Sequence, residues 1–155
     1  MLEDGNKAPD FDLAADDGSA IRLSGRKGRM TVLYFYPKDD TSGCTAEAKD
    51  FSCLADDFKA AGADIVGISP DGIESHKKFK KKHDLQVVLA ADEERKAATA
   101  FGVWVEKSMY GKKYMGVERS TFLIGKTGKI ARSWRKVKVP GHAEEVLEAV
   151  KAMKA

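Results

Sequence analysis

The chain has 155 residues, of which 43% are apolar and 33% charged, with a formal net charge of +3. That describes one ordinary globular domain, large enough to bury a core and too weakly basic to argue for a nucleic-acid partner. No run approaches membrane-spanning length, the acidic start Met1-Leu2-Glu3-Asp4 lacks a secretory h-region, and the two cysteines suggest a reducing, cytoplasmic setting.

Residues 1–25 hold short alternating pieces, Phe11-x-Leu13 and Ile21-x-Leu23, around Asp16-Asp17-Gly18. These predict a β-hairpin. Gly25-Arg26-Lys27-Gly28-Arg29 is a basic turn into the stretch around which the chain is organised. Met30-Thr31-Val32-Leu33-Tyr34-Phe35-Tyr36 is an unbroken apolar and aromatic run, as in a parallel strand buried on both faces. Pro37 and Asp39-Asp40-Thr41-Ser42-Gly43 stop it. A helical pattern then begins near Cys44, with Phe51, Leu54, Ala55 and Phe58 on one stripe. Cys44 therefore sits at a helix N-terminus, where free N–H groups and the macrodipole favour a thiolate. A buried, inert cysteine is the competing reading, and the residues alone leave the two about even.

Downstream, Ala61-Gly62-Ala63 ends the element and Asp64 to Ser69 predicts a second buried strand. Asp71 is placed to cap a helix through about Lys82, whose Lys77, Lys78, Lys80, Lys81 and Lys82 read as a solvated face. Leu85 to Ala90 predicts a short strand, and Asp92 caps a helix running to Phe101. Residues 102–117 read as an extended loop or irregular strand. Ser120–Ile124 and Lys129–Trp134 form a hairpin across Gly125-Lys126-Thr127-Gly128; a phosphate loop would need Gly where the chain has Ser120. Gly141 to Met153 is an amphipathic helix with Val146, Leu147 and Val150 inward. Strands alternating with helices make the fold class α/β. No domain boundary divides residues 1–155.

The string Tyr34-Phe35-Tyr36-Pro37-Lys38-Asp39-Asp40-Thr41-Ser42-Gly43-Cys44-Thr45 contains Pro37-x-x-x-Thr41-x-x-Cys44, which resembles the active-site motif of the peroxiredoxins, in particular the bacterioferritin-comigratory-protein or peroxiredoxin Q group. Val66-Gly67-Ile68-Ser69, Phe101-Gly102-Val103-Trp104 and Gly116-Val117-Glu118-Arg119-Ser120-Thr121-Phe122-Leu123-Ile124 extend the similarity over nearly the whole chain. The resemblance implies a thioredoxin fold with an N-terminal β-hairpin extension and a central mixed sheet flanked by helices. It implies a peroxidase without cofactor or metal, in which Cys44 attacks hydrogen peroxide or an organic hydroperoxide. Thr41 would hydrogen-bond thiolate and peroxide, Pro37 would shield the sulfur, Arg119 would stabilise its charge, and the backbone N–H groups of Gly43 and Cys44 would serve the developing oxyanion.

Many family members carry a resolving cysteine five residues after the nucleophile, where this chain has Lys49; others carry it on the following helix, where it has Lys80. Only Cys53 remains, nine residues on, half a revolution away and about 13 Å along an intact helix, whereas a disulfide needs Cα atoms roughly 4–7 Å apart. Asp50, Asp56 and Asp57 make its setting acidic. The expectation is a one-cysteine cycle resolved by thioredoxin, glutaredoxin or a low-molecular-weight thiol, in a monomer, with Cys53 as the alternative resolving residue.

Other chemistries fit less well. Thioredoxin-type exchange wants Cys where the chain has Thr41, and a phosphatase loop wants Arg where it has Asp50. Two Cys and three His show no metal spacing, so His76, His83 and His142 default to capping or surface roles. A non-enzymatic interaction module would leave Cys44, Thr41 and Arg119 without a reason to meet.

Overall fold

The computed structural model describes residues 2–154. In chain order the elements are β1 (Asp12–Ala14), β2 (Ala20–Arg22), β3 (Met30–Phe35), α1 (Ser42–Cys53), α2 (Ala55–Ala60), β4 (Ala63–Ser69), α3 (Ile73–His83), β5 (Val88–Ala91), α4 (Lys96–Ala100), β6 (Trp104–Met109), β7 (Lys112–Val117), β8 (Ser120–Ile124), β9 (Ile130–Trp134) and α5 (His142–Lys154). Five strands form one sheet in the order β5-β4-β3-β8-β9. β3 runs parallel to β4 and antiparallel to β8, so the sheet is mixed, as expected.

The apolar run that makes β3 explains its central place, because all six of its residues are buried. Alternation divides them between two cores. Val32 and Tyr34 face a cluster with Phe51, Phe58, Phe79, Val146 and Val150 from α1, α2, α3 and α5. Leu33 and Phe35 face the other, with Ala97, Phe101 and the β1–β2 hairpin. Burying each such large side chain contributes roughly 1.5–3 kcal/mol. The N-terminal segment covers both sheet edges. Gly5 and Ala8 bond the backbone at Ile130 and Gly128, and Asp16 bonds Leu89 in β5.

Several boundaries differ from expectation. The helix after Cys44 is broken at Leu54, at φ −100° and ψ 3°, so Phe51 and Phe58 lie on separate helices, with Leu54 and Ala55 only half-buried. Asp71 does not cap α3: Gly72 is the N-cap residue, and the Asp71 carboxylate instead takes the Ser69 hydroxyl and the Asp39 N–H. β5 begins at Val88 rather than Leu85 because only from there does it pair with β4. Asp92 does bind the start of α4, accepting from the N–H groups of Ala97 and Ala98. Residues 102–117 are a regular antiparallel hairpin, β6–β7, rather than a loop. Its turn places Tyr110 and Gly111 at φ 52° and 78°, the doubly left-handed conformation of tight hairpins.

Candidate active site

Pro37 and Thr41 lie on the loop that leaves the C-terminal end of β3, and Cys44 follows in the first turn of α1. Thr41 is the N-cap residue, and the first intrahelical bond runs from Thr45 N–H to Thr41 O at 2.8 Å. The N–H groups of Gly43 and Cys44, ahead of it, have no acceptor one turn back in the helix. They face the same end of the helix as the sulfur. Cys44 is 1% exposed, packed within the core cluster that contains Tyr34 and Phe51.

The guanidinium of Arg119, from the junction of β7 and β8, donates to the Cys44 sulfur through Nη2 at 3.3 Å. Its other terminal nitrogen donates to Glu47 Oε1 at 2.6 Å. The fork thus spans the sulfur and a carboxylate one helical turn below it. Gly43 leaves room for the approach: a Cβ there would stand 3.2 Å from Arg119 Nη2, which would have to give by a few tenths of an ångström.

Glu47 is the residue at this site that sequence reasoning missed. It is 1% exposed, and among the described residues its Oε2 has no hydrogen-bond partner. Burial pushes its carboxyl up to about 7, against the downward pull of Arg119. Arg119 is held above the ordinary arginine value: burial pulls it down, and the charges of Glu47 and Cys44 outweigh that. A second cation stands nearby. Lys107, on β6, is held below its usual value by burial first and by the Arg119 charge second.

The remaining expected residues fall in differing positions. Thr41 is exposed, and its hydroxyl donates to Lys38 O at 2.9 Å. Its one proton is engaged there, so what it offers the site is lone pairs. Pro37 is half-buried at the loop's start. Cys53 is exposed at the far end of α1, whereas Cys44 is buried at the near end, so one intact helix holds the two thiols apart. Between them Phe51 stacks on Tyr34 with centroids 4.7 Å apart and packs against Phe58 and His142. Lys80 pairs with Asp16 at 2.6 Å.

The histidines depart from their expected surface roles. His76 is fully buried against Asp39. His142 is buried beside Thr121, with Nε2 2.8 Å from its hydroxyl, and burial lowers its pKa to about 4, leaving it neutral at neutral pH. His83 alone sits near the surface, 2.8 Å from Asp40.

Comparison with known proteins gives one consistent match. The family model described as AhpC/TSA family matches residues 5–133. Peroxiredoxin Bcp of Bacillus subtilis is 52% identical over 98% of this chain and 97% of its own length. Peroxiredoxin Bcp of Escherichia coli is 39% identical over 97% and 96%. Among solved structures, the Xanthomonas campestris bacterioferritin comigratory protein, studied as trapped intermediate and ligand complexes for its alkyl peroxide reduction activity, superposes with a TM-score of 0.92. That pair is 41% identical, covering 99% of this chain and 100% of the other.

Proposed function

The chain belongs to the AhpC/TSA family and is a peroxiredoxin, a thiol-dependent peroxidase, and we propose that Cys44 is its peroxidatic cysteine. One observation carries this assignment: Cys44, the buried one of the two cysteines, lies at a helix N-terminus with an arginine donating to its sulfur at 3.3 Å. The attacking form is a thiolate, and a guanidinium and the positive end of α1 stand where its negative charge would sit.

In the proposed step the thiolate attacks the terminal oxygen of a hydroperoxide. The S–O bond forms as the O–O bond breaks, and the departing alkoxide or hydroxide takes a proton to give alcohol or water. Cys44 is left as the sulfenic acid. Arg119 and the N–H groups of Gly43 and Cys44 stabilise the negative charge as it moves from sulfur to oxygen. The Thr41 hydroxyl, its proton given to Lys38 O, accepts from the peroxide O–H and so orients the substrate. Pro37 keeps water from the sulfur. Hydrogen peroxide fits such a site, and the alkyl peroxide activity studied in the Xanthomonas relative supports organic hydroperoxides as well.

An external thiol then condenses with the sulfenic acid, releasing water, and a second thiol frees Cys44 from the mixed disulfide. Thioredoxin, glutaredoxin or a low-molecular-weight thiol can serve. The protein acts as a monomer in the cytoplasm. The placement of Cys53 supports this one-cysteine cycle, because a Cys44–Cys53 bond requires α1 to unwind through Phe51, whose burial is worth roughly 1.5–3 kcal/mol. Peroxide consumption by Cys44→Ser, compared with Cys53→Ser, tests the assignment. Cys44→Ser is expected to be inactive and Cys53→Ser to keep the first oxidation step; equal rates for wild type and Cys44→Ser would refute it.

A further inference from the structure

The loop that carries Pro37 and Thr41 is gripped by α3. The Asp39 N–H donates to Asp71 Oδ2 at 2.7 Å. The Asp39 carboxylate accepts from the Tyr36 hydroxyl at 2.6 Å and the Ser75 hydroxyl at 2.8 Å, and His76 Nδ1 lies 2.7 Å from its Oδ2. One residue on, Asp40 has φ 60°, in the left-handed region. Its carboxylate takes Lys82 Nζ at 2.7 Å and His83 Nε2 at 2.8 Å. Ser75 and His76 lie in the first turn of α3, and Lys82 and His83 close it. His76 and His83 are two turns apart on one helix face. The helix is in turn fixed from behind by Lys80 on Asp16 and by His76 on the Ala90 carbonyl.

The two grips differ in strength. Lys82 and Asp40 are exposed, where such a pair holds weakly. His76 is 0% and Asp39 7% exposed. The Ala90 carbonyl can only accept, so His76 Nε2, 3.0 Å away, carries a proton. A further proton must lie between Nδ1 and Asp39 Oδ2, since two lone pairs at 2.7 Å would repel. Tyr36 and Ser75 both donate to that carboxyl group, so its oxygens are satisfied within the protein. The buried contact is therefore hydrogen-bonded on both sides of the ring, and removing one partner strands the other.

We propose that His76 is a positioning residue of the peroxidase reaction: acting through Asp39, it holds the loop so that Thr41 and Pro37 face the Cys44 sulfur. The proposal rests on the reading of Cys44 as the peroxidatic cysteine. It has a consequence for the cycle. Cys44 is 1% exposed with the loop held, an arrangement suited to a small peroxide and poor for a bulkier thiol. A loosened loop slows the first step and opens the sulfenic acid to its reductant.

The test separates the two steps. Single-turnover oxidation of Cys44 by hydrogen peroxide, and reduction of the resulting sulfenic acid by dithiothreitol, are timed in wild type, His76→Leu and His76→Asn. Asn keeps a donor where Nδ1 stood and loses only the bond to Ala90. Oxidation is expected to slow roughly 10- to 100-fold in His76→Leu, the scale of a misplaced reacting group, while reduction becomes faster. His76→Asn should recover most of the oxidation rate. A merely structural role would slow both steps together and equally in both variants, and that result overturns the proposal, as do wild-type rates in His76→Leu. If His76→Leu does not fold, Asp39→Asn replaces it: slowed oxidation with faster reduction supports the proposal, and wild-type rates overturn it. A wild-type protein that forms no sulfenic acid at Cys44 would instead refute the reading on which the proposal rests.

Discussion

The buried Glu47 and the half-buried Arg119 form an ion pair 2.6 Å long, made by the same guanidinium that donates to the Cys44 sulfur. The carboxylate holds the guanidinium where its other nitrogen reaches the sulfur. Replacing Arg119 by Met removes both the charge and the donor. The rate of Cys44 oxidation at neutral pH should fall about 100-fold or more, the scale of losing an oxyanion donor. Arg119→Lys keeps charge but cannot span both partners, so it should recover only part of the rate. Stopped-flow peroxide consumption measures both.

Glu47 also gives a signed pH effect. Its folded value of about 7 lies above the ordinary 4.5, so the folded state holds its proton more tightly than the unfolded state. Its contribution to stability is fully present below about pH 4.5 and is lost as pH rises through about 7, at most roughly 3 kcal/mol. Glu47→Gln keeps an oxygen to receive Arg119 and does not titrate. Urea unfolding between pH 5 and about 8 should show wild type losing stability relative to Glu47→Gln. Parallel curves would count against the buried, proton-binding carboxyl.

Gly43→Ala should separate stability from activity. Alanine is favoured over glycine by about 1 kcal/mol in a helix interior and by less in the first turn, so the gain roughly offsets the crowding at Arg119 and the unfolding midpoint should change little. The added Cβ would stand 3.2 Å from Arg119 Nη2 and push the guanidinium aside. Oxidation of Cys44 should therefore slow while the protein stays folded with an unfolding midpoint near that of wild type.

Gly67→Ala tests the core under the site. A Cβ there would meet the Tyr34 ring at 2.6 Å and its hydroxyl at 2.7 Å. Overpacking of this kind costs roughly 1–3 kcal/mol. Among the described residues the Tyr34 hydroxyl has no partner, so Tyr34→Phe alone should cost little and should restore part of the loss in the double variant. Equal unfolding midpoints for wild type and Gly67→Ala would show that the strand yields freely.

Much of this arrangement was legible in the sequence, for local reasons. β3 announced itself as an unbroken apolar run, and Pro37 with Gly43 marked the loop before Cys44. Arg119 was reached only through the family motif, because nothing local to β8 says that it crosses to α1. Glu47 carried a signal that went unread: a charged residue on the helix stripe of Cys44, Ala48 and Phe51. His76 sits similarly, three residues before the buried Phe79, but its partner Asp39 is distant in sequence. The β6–β7 hairpin was missed because most of its residues are exposed on both faces and show no alternation. Its turn, moreover, is Tyr-Gly rather than Asn-Gly.

The central claim is that Cys44 alone takes the oxygen and waits for an external thiol. Its most direct test is the mass and peptide map of the protein after one equivalent of peroxide, under non-reducing conditions with a sulfenic-acid trap. The expected result is one trap adduct at Cys44, formed with loss of water, in wild type and in Cys53→Ser alike, and none in Cys44→Ser. A rapid, near-stoichiometric Cys44–Cys53 bond within one chain would contradict it and make Cys53 the resolving residue.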